Sequence, residues 1–138
     1  MRGLFITFEG SEGCGKSTQA RLLAAYLRGK GYEVASLREP GGTGLSEKIR
    51  NLLLNPASRI GSRAETLLYM AARAQAAQEI IRPALSSGKI VISDRFLDST
   101  LVYQGLGLGL DLRAIRSIGR FAVPGLIPHL TIVLDLPV

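Results

Sequence analysis

The chain has 138 residues, 46% of them hydrophobic, with a formal charge of +6 and one cysteine, Cys14. One cysteine excludes an intrachain disulfide and a cysteine-built metal cluster, and no uninterrupted apolar run approaches the roughly 18 residues of a membrane span. The length suits one α/β domain over residues 1–138, and the scattered basic residues, without interleaved aromatics, fit phosphorylated small molecules better than nucleic acid.

Met1-Arg2-Gly3 leads straight into a strand-like run without a signal-peptide layout, so the cytoplasm is the expected compartment. Leu4-Phe5-Ile6-Thr7-Phe8 is the first strand, closed by a glycine-rich turn. From Lys16 to about Arg28, apolar Ala20, Leu23, Ala24 and Leu27 recur at helical spacing, and Gly29 and Gly31 end the helix. Val34-Ala35-Ser36-Leu37 is a second strand. The turn Pro40-Gly41-Gly42-Thr43-Gly44 follows it, then a short helix from Leu45 to Leu54. Ser62-Arg63-Ala64-Glu65 has the form of a capping box and opens an alanine-rich helix to about Leu85, with Pro83 placed to kink or stop it.

Ile90-Val91-Ile92-Ser93 is almost wholly apolar, which predicts a central strand. Asp111 is placed to cap a helix to about Ala122, and Leu130-Thr131-Ile132-Val133-Leu134 is a fourth strand. The alternation predicts a three-layer α/β fold, a parallel sheet flanked by helices. No helix follows the fourth strand to cover it, so the complete polypeptide is expected to continue past Val138.

The chemistry concentrates in Gly10-Ser11-Glu12-Gly13-Cys14-Gly15-Lys16-Ser17, which matches the phosphate loop G-x-x-x-x-G-K-[ST] and is followed by Thr18. A strand ends before it and a helix starts within it. Glycines let successive backbone N–H groups turn inward, and the helix N-terminus adds its positive dipole end. Lys16 is placed to reach the β- and γ-phosphates of ATP, and the Ser17 hydroxyl to ligate Mg²⁺. Cys14 is either a tolerated small side chain or a thiol activated by the helix end. Asp94, directly after the third strand, is placed as the second magnesium-side carboxylate, some of it through water; the plainer reading is an aspartate that opens a loop.

Further motifs appear in a characteristic order: Phe8-Glu9-Gly10, Arg38-Glu39-Pro40-Gly41-Gly42-Thr43, Glu47-Lys48-Ile49-Arg50 and Leu68-Tyr69-Met70-Ala71-Ala72-Arg73. The last is Asp94-Arg95-Phe96-Leu97-Asp98-Ser99-Thr100-Leu101-Val102-Tyr103-Gln104-Gly105. Together they resemble the thymidylate kinases, P-loop nucleoside-monophosphate kinases, over essentially the whole chain. The resemblance implies the reaction ATP + dTMP giving ADP + dTDP, with Mg²⁺, and a homodimer packed through the long helices. It also places the phosphate-loop strand between the third and fourth.

Carried over residue by residue, the resemblance makes Arg50 and Arg95 clamps on the acceptor 5′-phosphate, where guanidinium forks suit phosphate oxygens. Tyr69 and Arg73, four residues apart, share one helix face, so a ring can stack on the base beside a guanidinium that reads its edge. The family usually has Phe where Tyr69 stands. Thr100 and Gln104 resemble polar contacts to the pyrimidine, and Tyr103 resembles the residue that crowds a 2′-hydroxyl. Glu12 corresponds to an acidic residue near the sugar 3′-hydroxyl and the magnesium shell. Glu39 and Pro40 line the same pocket, and Ser99 assists near the phosphate. Lys16, Asp94 and Arg95 form the implied catalytic set.

One branch of the family has a catalytic arginine where Gly13 stands here. The resemblance therefore implies a lid arginine beyond Val138, with the fifth strand and much of the adenine pocket. A deoxynucleoside kinase would instead need a carboxylate to take a hydroxyl proton. A non-catalytic nucleotide- or nucleic-acid-binding module would bind DNA in a salt-sensitive way and release no ADP in response to an acceptor.

Overall fold

A computed structural model describes residues 3–136; Met1 and Arg2, at the expected start of the chain, and Pro137 and Val138, at its end, lie outside the described residues. Four strands form one parallel sheet: β1 (Leu4–Gly10), β2 (Val34–Arg38), β3 (Ile90–Asp94) and β4 (Leu130–Leu134), in the order β2-β3-β1-β4. β1 lies between β3 and β4, as the resemblance implies, and the apolar β3 is internal, as its sequence predicts.

Period-2 alternation divides the core between the two sheet faces. Phe5 and Val91 point to one face, where Ala76, Ile81, Phe96, Val123 and Leu126 cover them. Ile6, Phe8, Ile90 and Ile92 point to the other, against Ala20 and Ala24 of α1 (Lys16–Gly29). Each fully buried large apolar side chain contributes about 1.5–3 kcal/mol, so both layers hold the sheet firmly. At the lower end of β1, the Phe5 N–H donates to His129 Nδ1 at 2.9 Å and the His129 N–H donates to the Phe5 carbonyl at 2.8 Å. His129 is thus a boundary residue that secures β4 to β1.

α2 (Gly44–Leu54) is capped by Thr43, whose side chain accepts from Ser46 N–H. The alanine-rich helix runs as α3 (Ser62–Ala76), a π-helical turn over Ala77–Ile81 and α4 (Arg82–Ser86). Pro83 explains the turn. It has no N–H to return to the Glu79 carbonyl, and the Arg82 N–H reaches back to Ala77 instead. The proline therefore loosens the helix without stopping it.

The capping box at Ser62 does not form. Gly61 is the N-cap, no side chain caps this end, and the Ser62 carbonyl accepts from the Thr66 hydroxyl at 2.8 Å. Glu65 turns away and accepts from Gln104 Nε2 at 2.8 Å, a tertiary partner that a local motif cannot reveal. Sequence reading also leaves 97–107 without structure. The chain there forms α5 (Leu97–Thr100) and a π-helical stretch, Leu101–Gly107. Gly105 and Gly107 hide that helical stretch from propensity, and the close approach of Leu112 explains one of them: a Cβ on Gly105 would lie 2.3 Å from Leu112 Cδ2. Asp111 caps α6 (Leu112–Ala122) as expected, accepting from Arg113 N–H at 2.8 Å.

Candidate active site

Three loops leave the same rim of the sheet, at the C-terminal ends of β1, β2 and β3, where ligands bind open α/β sheets. The register pairs Phe8 with Asp94 and Asp94 with Arg38, and the Glu39 N–H donates to the Asp94 carbonyl at 2.9 Å. Between them lies a cleft of about 760 Å³.

At one end is the phosphate loop. Gly10 has φ 144, and a Cβ there would lie 2.6 Å from the Leu134 carbonyl oxygen, so the turn out of β1 requires glycine. Gly15, at φ 92, caps α1. Lys16 is 6% exposed, and its Nζ donates to the Ser11 carbonyl at 2.5 Å and lies 3.6 Å from Cys14 Sγ. The Ser17 hydroxyl donates to Asp94 Oδ2. Glu12, Gly13, Gly15, Lys16, Ser17 and Thr18 line the cleft; Gly10, Ser11 and Cys14 shape the loop behind it.

At the other end stand the residues expected to hold the acceptor: Glu39, Pro40, Arg50, Tyr69, Arg73, Arg95, Ser99, Thr100, Tyr103 and Gln104 all line the same cleft. Arg95 adopts φ 75, the left-handed region, which costs a non-glycine residue about 1–3 kcal/mol. Its Nη1 donates to Ser99 at 3.1 Å and to the Gly10 carbonyl at 3.3 Å, and its Nη2 donates to Glu12 Oε1 at 2.9 Å. The guanidinium also sits 5.1 Å from the Tyr103 ring centre, within cation–π range. Because Glu12 is largely exposed, its pairing with Arg95 is weak and readily exchanged for another anion. Arg50 donates to the Pro40 carbonyl at 3.1 Å.

Arg73 is far more tightly held than the sequence suggests. Its Nε donates to Glu39 Oε2 at 2.6 Å, its Nη1 to Thr100 at 3.0 Å and its Nη2 to the Phe96 carbonyl at 3.0 Å. Burial pushes the Glu39 carboxyl upward from its ordinary value, and Arg73 opposes that shift. Burial likewise raises the Tyr69 phenol, with Glu65 adding to it.

Arg38, Leu54, Glu65 and Leu108 also line the cleft without having been singled out as site residues. Glu9 is a further omission. It is buried at the end of β1, where its carboxylate receives the Phe96 N–H and the Ser99 hydroxyl. Burial raises its carboxyl, and the Ser99 and Phe96 hydrogen bonds oppose that. The available signal was an acidic residue ending a run of strand apolars, a position that demands partners.

A parallel sheet, a glycine loop opening a helix, and Lys16, Ser17 and Asp94 converging at the strand ends define a P-loop nucleotide-binding protein. Residues 8–138 match the family model described as thymidylate kinase. The chain is 52% identical over 138 residues to the thymidylate kinase of Halothermothrix orenii, covering 100% of this chain and 67% of that one. It is 55% identical over 137 residues to that of Carboxydothermus hydrogenoformans, covering 99% of this chain and 68% of that one. The crystal structure of thymidylate kinase from Ehrlichia chaffeensis superposes with a TM-score of 0.92 at 44% identity, covering 99% of this chain and 78% of that chain. The chain belongs to the thymidylate kinase family and spans about two thirds of the length of the curated relatives it matches.

Proposed function

We propose that the protein transfers the γ-phosphoryl group of ATP to dTMP, giving ADP and dTDP. The observation that carries this reading is a single cleft with Lys16, Ser17 and Asp94 at one end and Arg50, Arg95, Tyr69, Arg73 and Tyr103 at the other. A donor's phosphate chain and an acceptor's phosphate meet there.

Lys16 neutralises the transferring group from the first turn of α1. The Ser17 hydroxyl and the Asp94 carboxylate are hard oxygen donors in direct contact, the donor set that suits Mg²⁺, and they would hold it, partly through water. When bound, the ion supplies positive charge to the β- and γ-phosphate oxygens. Arg95 and Arg50 take the acceptor phosphate, with Arg95 exchanging exposed Glu12 for it. The acceptor oxygen is already anionic, so positioning and charge neutralisation suffice and no general base is required. Tyr69 stacks on the pyrimidine, Arg73, Thr100 and Gln104 present hydrogen-bonding groups to its edge, and Tyr103 crowds a 2′-hydroxyl. Glu12 and Glu39–Pro40 complete the sugar side, with Ser99 supporting the phosphate. A cytoplasmic homodimer packed through α3, acting on nucleotides and not on nucleic acid, belongs to the same reading. No helix among the described residues is long and apolar enough to cross a membrane.

The test is a screen of nucleoside monophosphates for acceptor-dependent ADP release by the full chain. dTMP is expected to be the preferred acceptor. Equal use of purine monophosphates, or ADP release that ignores the acceptor, would overturn the assignment.

A further inference from the structure

Glu9 forms no part of the cleft wall, yet the Arg95 clamp is anchored to it. It is the last side chain of β1 before the glycine turn and is 6% exposed. Its Oε1 accepts the Phe96 N–H at 2.8 Å, and its Oε2 accepts the Ser99 hydroxyl at 2.5 Å. The same Ser99 oxygen accepts from Arg95 Nη1 at 3.1 Å. A hydroxyl has one proton to give. Because a carboxylate can only accept, Ser99 spends that proton on Glu9 and must face Arg95 as an acceptor.

The backbone of Arg95 is secured by the groups on either side of it. The Arg95 N–H donates to the Phe8 carbonyl at 2.9 Å, and the Arg95 carbonyl accepts the Ser93 hydroxyl at 2.7 Å. The next N–H along the chain, that of Phe96, is the one held by Glu9. One carboxylate thus fixes the backbone beyond a left-handed residue and, through Ser99, the tip of its side chain.

We propose that Glu9 is a positioning residue for the acceptor phosphate, setting the aim of Arg95 through the Phe96 N–H and the Ser99 hydroxyl. The inference deepens the proposed kinase reaction and rests on it. Electrostatics separates this role from a plain charge effect. A carboxylate behind a phosphate site repels the phosphate, so neutralising Glu9 would tighten dTMP binding if charge were all that mattered. Loss of an anchor has the opposite sign.

The experiment compares Glu9→Gln, Glu9→Asp and Ser99→Ala in the full chain by steady-state kinetics. In the nucleotide-free protein, the Arg95 guanidinium N–H resonances are followed as well. Loss of a charge-assisted contact should raise the KM for dTMP about tenfold in Glu9→Gln and Ser99→Ala, with the KM for ATP within about twofold. Glu9→Asp keeps the charge but not the reach, so it should resemble Glu9→Gln. The Arg95 N–H resonances, protected from exchange in the parent, should lose protection in all three. An unchanged or lower KM for dTMP with Arg95 protection retained would overturn the inference, as would full rescue by aspartate. If Glu9→Gln does not fold, Glu9→Asp carries the same test. A parent chain that ignores dTMP would sink the kinase reading alone, because the Arg95 resonances still decide whether Glu9 anchors it.

Discussion

Arg73 Nε lies 2.6 Å from Glu39 Oε2, with both side chains at 3% exposure or less, which ties α3 to the loop after β2 inside the protein. Of the guanidinium's N–H groups, Nε and one on each terminal nitrogen are already taken by Glu39, Thr100 and Phe96, and a Met70 sulfur lies 3.4 Å from Nη1. The residue expected to read the base is therefore also a structural tie. Removing one partner of a buried pair leaves an uncompensated charge and costs about 3–5 kcal/mol. Glu39→Ala should lower stability in urea by about 3 kcal/mol and raise the KM for dTMP; a loss under about 1 kcal/mol would show that the pair is not holding the loop.

Among the described residues the Lys16 ammonium makes its polar contacts within its own loop, with the Ser11 carbonyl and Cys14 Sγ, so no hydrogen bond to the core depends on it. Lys16→Ala should retain the urea midpoint and lose at least about a hundredfold in kcat, the usual effect of deleting a donor to developing charge. Near-normal turnover in a folded variant would contradict the donor-phosphate site.

Tyr69 is half-buried on the cleft wall, and its hydroxyl makes no protein hydrogen bond among the described residues. Tyr69→Phe keeps the stacking face, so the KM for dTMP should stay within about twofold. Tyr69→Ala should raise it by about tenfold, because a base–aromatic stack is worth about 1–3 kcal/mol. Steady-state kinetics on the pair separates ring from hydroxyl.

Gly10→Ala places a methyl 2.6 Å from the Leu134 carbonyl oxygen and 2.8 Å from Cys14 Sγ, at a φ that side chains rarely adopt. Backbone strain of this kind costs about 1–3 kcal/mol. The variant should lose at least that much stability in urea and weaken ATP binding measured by titration calorimetry, since the same turn aims the phosphate loop.

Glu9 has a folded-state carboxyl raised by burial above the ordinary 4.5. The native state therefore binds this proton more tightly than the unfolded chain does. The stability Glu9 contributes is fully present below about 4.5, the unfolded value, and is lost as pH rises through the higher folded value. Urea midpoints measured from pH 4 upward should fall less steeply in Glu9→Gln than in the parent. Parallel curves would remove Glu9 as the titrating group.

Much of the fold was legible because its signals are local. Ile90-Val91-Ile92 could only be an internal strand, and the glycine spacing around Lys16 specified both a turn and its chemistry. What escaped depends on partners distant in sequence. Glu65 has the spacing of a helix cap but is claimed by Gln104, and Glu9 gains its meaning from Phe96 and Ser99 across the sheet. The helical stretch after Leu97 stayed hidden because its glycines, one of them set by the contact with Leu112, mimic a loop. Tyr69 and Arg73 came from the motif resemblance, which their shared helix face supports, but the Glu39 tie could not be seen from that face alone.

The reciprocal pair of bonds between Phe5 and His129 stops β4 from sliding along β1, while the opposite neighbour aligns Phe8 with Asp94. A slip of one residue would displace the strand by about 3.3 Å and turn every side chain to the other face. The sheet thus serves as a ruler that sets how far Ser17 stands from Asp94, and through Arg95 how far donor stands from acceptor. Length changes in the exposed turn between α2 and α3 leave that ruler intact, whereas one residue added to or removed from β1 or β3 would misalign both ends of the cleft at once.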